Sequence, residues 1–305
     1  MKTRCILTLS FLLASIAAFA QHAPQENHQN SGYHPDWILV ENDGLLGFIT
    51  QDGEVVFEPT YDKISYFGEY HTDWAMVEKD ELLGFITTKG DEIIEPTYDR
   101  ISYFGEYHTD WAMVEKDNLL GFITSEGDEI IEPTYDRISY FGEYHSDWAM
   151  VEKGNLLGFI TSEGDEIIEP TYDRISYFGE YHSDWAMVEK DELLGFITTE
   201  GDEVIEPTYD RISYFGEYHT DWAMVEKDNL LGFINSEGDE IIESTYDRIS
   251  YFGEYHSDWA MVKKDGLFGF INSEGDEIIT PQYNRIKEGN GIKGIKNGKE
   301  EDIRK

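Results

Sequence analysis

Only one cysteine occurs in the 305 residues, Cys5, and it lies within the first 20. A disulfide framework is therefore excluded, as are a thiol nucleophile and a cysteine-based metal site in the rest of the chain. Basic residues are scarce, with 23 Lys and Arg against 63 Asp and Glu and a formal net charge of −40. That balance disfavours nucleic acid and anionic lipid as partners, because both require a cationic surface. No apolar run of membrane length occurs beyond the first 20 residues. No apolar spacing persists for three helical turns, so helices are not expected.

What is present is periodicity. All seven tryptophans, Trp37, Trp74, Trp111, Trp148, Trp185, Trp222 and Trp259, are spaced by 37 residues. A glycine (Gly47 to Gly269) and a histidine (His34 to His256) recur at the same step, and EPTYDRISYFGEYH returns almost unchanged. A fixed period of this size marks a tandem array whose units bury their apolar faces by stacking on neighbours. High net charge alone suggests disorder. The 14% aromatic content and the strict apolar spacing argue instead for a folded chain.

Residues 1–20 read as a signal peptide. Lys2 and Arg4 precede an apolar stretch from Cys5 to Phe19, and Ala18-Phe19-Ala20 supplies a small-x-small cleavage site before Gln21. A membrane anchor is the rival reading, and the short apolar run disfavours it. Gln21 stands where a lipoprotein would need cysteine. Cleavage would leave 21 basic against 63 acidic residues, a net of −42, in a chain without cysteine and without a membrane span. Residues 21–32 read as a flexible leader, 33–286 as seven repeats, and 287–305 as a degenerate capping hairpin and tail with Asn297-Gly298 as its turn.

One repeat illustrates the expected fold. Trp74 to Glu78 and Leu82 to Thr87 are strand-like, and Asp80-Glu81 between them fits a two-residue hairpin turn. Thr88-Lys89-Gly90 fits a three-residue loop, and Asp91 to Glu95 a third strand halted by Pro96. Tyr98 to Phe104 reads as a fourth, irregular strand. Gly84, inside a strand pattern, marks a bulge or close approach, with an aromatic ring of an adjacent unit expected over it. The fold class is thus all-β: tandem 37-residue meanders in an open, solenoid-like array, with a closed seven-bladed propeller as the alternative. The extra hairpin at the end favours the open form.

Gly47-Phe48-Ile49, Asp52-Gly53, Glu58-Pro59, Tyr61-Asp62, Phe67 and Ala75-x-Val77 resemble the WG-repeat family of bacterial β-repeat proteins. Its consensus runs roughly WGFID..G..VI.P.YD....F..G.A.V. The resemblance extends from Tyr33 to Ile286. It departs at the name-giving tryptophan, replaced by Leu46, Leu83, Leu120, Leu157, Leu194, Leu231 and Phe268. The resemblance implies tandem β repeats of variable copy number, which favours an open array, and it supplies no catalytic residues.

Residues that could do chemistry cluster at four places. His-x-Asp-Trp, as in His71-Thr72-Asp73-Trp74, offers two metal ligands per unit where structural sites need three or four. A loop with Asp73 capping backbone donors and His71 packed on Tyr70 and Trp74 accounts for it better. The turn Glu126-Gly127-Asp128-Glu129 matches no calcium loop and suits at most weak divalent-cation association. Tyr98, Tyr103, Phe104, Tyr107 and Trp111 fit a core better than a sugar platform. Asp99-Arg100 fits a link between units. No residue is assigned a catalytic, cofactor-binding or metal-ligating role, and no cofactor is implied. Because every candidate recurs in equivalent surroundings, catalysis by one asymmetric site is disfavoured. The expectation is a non-enzymatic, exported, periplasmic or extracellular module that binds a protein or envelope component through a repeated surface. Carbohydrate binding through aromatics is the alternative, and a hydrolase a more distant one.

Overall fold

A computed structural model of the chain describes residues 33–289 and 291–303, together with the backbone of Leu7–Thr8, a two-residue strand parallel to Val40 and Glu41. The expected signal peptide and leader otherwise lie outside the described residues. The chain divides into two compact units. One comprises Met1–Phe141, Val151–Gly154 and Ser162–Gly164; the other comprises Gly142–Met150, Asn155–Thr161 and Asp165–Lys305. The described residues contain strands and turns and no helix. Strand order is linear in every sheet and none closes into a barrel, so the chain is an all-β array of tandem meanders.

In the first unit, one sheet runs Arg100–Ile101, Trp111–Lys116, Leu119–Thr124, Glu129–Tyr135, with each strand hydrogen-bonded to the next. The central hairpin has Trp111 opposite Thr124 and Lys116 opposite Leu119, antiparallel throughout. Its two-residue turn places Asp117 and Asn118 at φ 53° and 64°, the left-handed geometry that matches strand twist. The three-residue loop closes through the Gly127 amide on the Thr124 carbonyl at 3.1 Å.

In the six sheets between Lys63 and Tyr283, the outer strand beside the tryptophan strand is the end of the preceding repeat. Arg100 and Ile101 pair with Glu115 and Val114, so each of these sheets straddles two sequence repeats. The expected irregular strand from Tyr98 to Phe104 is therefore only two residues long. The third strand, conversely, runs through Pro96 to Tyr98 rather than stopping. Register shifts between Leu83 and Phe85, and between Phe85 and Ile86, make a bulged pairing in which proline is tolerated.

These shifts also correct the reading of Gly84. Backbone, not an aromatic ring, approaches it. At the equivalent Gly121, a Cβ would lie 2.3 Å from the Ile131 carbonyl oxygen and 2.7 Å from the Pro133 nitrogen. Only glycine lets the third strand fold this tightly over the second.

Both faces of the inner strands are covered, which explains why Trp-Ala-Met-Val and Gly-Phe-Ile read as continuous apolar runs. Trp74, Phe85, Ile94 and Tyr98 of one sheet pack with Ile101, Ala112, Val114 and Ile123 of the next. The same arrangement recurs in the second unit, where Trp185, Phe196, Ile205 and Tyr209 meet Ile212, Ala223, Val225 and Ile234. Large rings on one face thus fill the space above a small-residue face. At its end the second unit carries a three-stranded sheet, Arg285–Gly289, Gly291–Lys296 and Lys299–Asp302, with the expected turn at Asn297-Gly298.

Two substitutions test this packing. Gly121→Ala should destabilise by about 3 kcal/mol, since backbone cannot yield as a side chain can. Ser244→Pro should stabilise by about 1 kcal/mol. Six other repeats carry proline there, and the Ser244 hydroxyl is buried without a hydrogen-bond partner. Urea midpoints of the two variants should move in opposite directions.

Candidate functional site

The segment joining the two-residue strand of each four-stranded repeat sheet to its tryptophan strand carries most of the polar and aromatic groups that could do chemistry. In the first unit, the Ser102 amide donates to the Met113 carbonyl at 2.9 Å and Ser102 Oγ accepts from the Met113 amide at 2.9 Å. Further on, the Gly105 amide bonds the Trp111 carbonyl and the Trp111 amide bonds the His108 carbonyl, both at 3.1 Å. Residues 102–111 are thus a fixed loop. Ile101 faces the core, whereas the Tyr103 ring stands in solvent with 53% of its surface exposed.

His108 lies 4.6 Å from the Trp111 ring and meets the Phe141 edge at 5.9 Å. Trp111 also meets Phe141 edge-on at 5.5 Å and packs against Phe122 at 5.4 Å. The histidine is part of an aromatic nest that joins successive repeats, as the packing reading of His-x-Asp-Trp requires. In six repeats its Nδ1 is buried without a hydrogen-bond partner. In the first repeat, His34 Nδ1 accepts from the Asp36 amide at 3.3 Å, and burial holds this imidazole below its ordinary pKa despite the Asp36 charge.

The aspartate of the motif does not join the histidine. Asp110 contributes its backbone carbonyl to the Ser125 amide at 2.8 Å, and in later repeats Asp184 accepts from the Ser183 hydroxyl at 3.2 Å. The side-chain cap expected of Asp73 belongs instead to Asp99. Its Oδ2 accepts from the Asp117 amide at 2.7 Å, pinning the hairpin turn of the following repeat. Asp62, Asp173 and Asp210 do the same for Asp80, Asp191 and Asp228. Arg100 reaches Glu115 at 3.6 Å but is itself largely exposed, so this pair adds little. The link expected of Asp99-Arg100 is therefore mainly the aspartate's. Among the described residues no three His, Cys, Asp or Glu side chains converge as a metal site.

Two sets of tyrosines have distinct places. Tyr98 is buried, and its hydroxyl donates to Glu129 of the next repeat at 3.3 Å. Tyr61 donates to Glu92 at 2.5 Å and Tyr172 to Glu203 at 2.7 Å. Burial first, then the glutamate charge and hydrogen bond, push the Tyr98 phenol up to about 12, and Tyr246 rises likewise to about 12 beside Glu277.

The second set forms pairs across repeats. Tyr70 stacks on Tyr103 with centroids 4.7 Å apart and planes 11° apart, and Tyr107 stacks on Tyr140 at 4.7 Å and 12°. In the second unit, Tyr144 with Tyr177, Tyr181 with Tyr214 and Tyr218 with Tyr251 repeat the geometry at 4.7, 4.6 and 4.5 Å. The outer ring of each pair is about half exposed. Sequence reasoning grouped Tyr103 with the core aromatics and missed its outward direction. Alternation would put Ile101 and Tyr103 on one face, and it fails because the strand ends at Ile101 and the chain turns before Tyr103.

Residues 47–82, 84–119, 121–156, 158–193, 195–230, 232–268 and 268–288 match the WG-containing repeat. The chain belongs to the WG-repeat family. No curated protein matches it. Solved structures resemble this WG-repeat chain only distantly. A eukaryotic initiation factor is 10% identical, with 77% of this chain and 69% of that one covered and a TM-score of 0.26. AztD from Citrobacter koseri is 14% identical, over 84% and 87%, with a TM-score of 0.23. PorZ, a surface component of the type-IX secretion system of Porphyromonas gingivalis, is 11% identical, over 86% of this chain and 40% of its own, with a TM-score of 0.23. At such scores none of the three carries an argument about the WG-repeat chain. No helix among the described residues is long and apolar enough to cross a membrane.

The buried phenols give a pH prediction. Their folded pKa values lie above the ordinary value of 10.0, so the folded chain keeps protons that the unfolded chain releases first. The associated stability is fully present below pH 10 and is lost as pH rises from 10 through about 12. Melting temperature should fall across that window, and Tyr98→Phe combined with Tyr246→Phe should make the fall shallower. An unchanged slope in the double variant would show that these phenols do not carry the effect.

Proposed function

We propose that this WG-repeat protein is an exported, non-enzymatic interaction or structural module of the cell envelope, which engages a protein or other envelope component through equivalent contacts on successive repeats. The observation that carries this reading is the equivalence of its chemistry-bearing groups. His108, Asp110, Tyr107 and Asp99 each have counterparts in matching surroundings, and acyl, phosphoryl or glycosyl transfer needs unlike groups converging on one centre. Weak contacts repeated along a chain add through effective concentration, so such a surface binds well without any single strong site. Export rests on the basic, apolar and small-x-small succession of residues 1–20.

Carbohydrate binding through the aromatics is the second reading, and burial weakens it. Trp111 retains only 5% of its surface, which removes the largest ring from any sugar platform.

The test is graded substitution. His145→Ala with Asp147→Ala should cost on the order of 1 kcal/mol in stability, as lost loop contacts do, and should barely change capture of partners from envelope extracts. The same change in three and then five repeats should lower capture step by step. Complete loss from one altered repeat, with the fold intact, would mean that one privileged site exists.

A further inference from the structure

We propose that the outer faces of the stacked tyrosine pairs form a docking surface for an extended basic polypeptide, with one lysine or arginine side chain seated over the exposed ring of each pair. This deepens the interaction-module reading and rests on it. The first unit supplies two stacked pairs, Tyr70 with Tyr103 and Tyr107 with Tyr140, with Tyr33 and Tyr66 tilted at 47° in the equivalent place, and the second supplies three, Tyr144 with Tyr177, Tyr181 with Tyr214 and Tyr218 with Tyr251. The outer rings, Tyr103, Tyr140, Tyr177, Tyr214 and Tyr251, are 52–53% exposed and are the most exposed large apolar side chains described.

The surroundings select the ligand. The inner phenol of each stacked pair, Tyr70, Tyr107, Tyr144, Tyr181 and Tyr218, directly follows a glutamate in the chain. Glu106 acts on Tyr107 and Glu180 on Tyr181, together with the partner phenol in each case. A cation placed over the outer ring gains from the ring quadrupole. The chain's charge, −40 overall, draws a basic partner to the surface and repels an acidic one. A neutral sugar would use the ring and gain nothing from the field. Stacking also fixes each outer tyrosine against its inner partner, so little side-chain freedom remains to be lost on binding.

The spacing favours a chain over a small molecule. A single exposed cation–π contact is weak, whereas contacts of one polymer at three equivalent places add as effective concentration. An extended segment with basic residues separated by flexible positions can reach successive pairs; a compact cation reaches one.

The experiment titrates the full chain with a fluorescent Lys/Arg-rich peptide of roughly 20 residues, long enough to reach several repeats, and in parallel with a neutral glucan oligosaccharide. Tyr103→Ser alone should weaken peptide binding by about 2–5-fold, the equivalent of one exposed cation–π contact. Tyr103, Tyr140, Tyr177, Tyr214 and Tyr251 all changed to serine should weaken it by roughly 100-fold or more. A charge control, Glu126→Gln with Glu200→Gln, removes two carboxylates from the exposed three-residue loops and should weaken binding less than Tyr103→Ser does. Circular dichroism and melting of each variant separate lost binding from lost fold, and Tyr103→Phe, which keeps the ring, should bind as the wild type does.

Peptide binding that is indifferent to the five serine substitutions in a folded protein overturns the proposal, because general charge attraction then explains it. Tyrosine-dependent binding of the glucan in place of the peptide overturns it too, and reassigns the surface to sugars. In either case the module reading is judged separately, by whether capture from envelope extracts still declines step by step with the number of altered repeats.

Discussion

A sheet of four short strands has two apolar faces and too little area to bury either alone, and everything else in this chain follows from how those faces meet. The face carrying Trp74 and Phe85 is bulky, and the face carrying Ala112, Val114 and Ile123 is low. Large rings settle on small residues, and Phe85, Ala112 and Val114 are left with no exposed surface. Because every sheet carries one face of each kind, any sheet can follow any other. That interchangeability lets near-identical sequence copies serve as neighbours to one another, and it makes stability a sum over interfaces.

Packing alone would leave successive sheets free to slide, and backbone hydrogen bonding supplies the register. The two-residue strand that ends one repeat completes the sheet of the next, so the six four-stranded sheets from Lys63 to Tyr283 are each assembled from two sequence repeats. The Asp99 cap on the Asp117 amide adds a second fixed point at the far end of the same strand pair. Tyr98 reaching Glu129 adds a third. Each is worth little in isolation, on the order of 1 kcal/mol for a net hydrogen bond. Their value lies in geometry, because three points fix the angle at which one sheet meets the next.

Local chemistry was legible in the sequence wherever one residue type has one structural use. Asp80-Glu81 and Gly90 announced their turns through the left-handed backbone they adopt, at φ 51°, 68° and 91°. The 37-residue step announced the tandem architecture. What was not legible depends on which segment comes close to which. Gly84 was read correctly as a close approach, but its neighbour is the backbone of the strand that follows, brought there by bulges that composition does not encode. Pro96 looked like a strand terminator because the same bulges, which spare it a ladder bond, are invisible until the register is known. Asp73 and Asp99 are equally plausible caps by sequence, and only the handing of a strand to the next sheet decides between them. The outward ring of Tyr103 was hidden in the same way, since Ile101 ends a strand and the chain has turned by the time it reaches the tyrosine.

The same handing-on explains why the exposed rings come in stacked pairs. Tyr107 belongs to the loop between two strands of one sheet and Tyr140 to the matching loop of the next, and consecutive sheets bring those two loops side by side. Core packing has no need of the outer ring, which leaves about half its surface in water, yet the ring recurs in six repeats, from Tyr66 to Tyr251. A residue that pays no stabilising return beyond one stacked face is better accounted for by what it presents than by what it buries. In a tandem array that presentation is multiplied automatically, because any surface built at one junction between repeats is built at the equivalent junctions that follow.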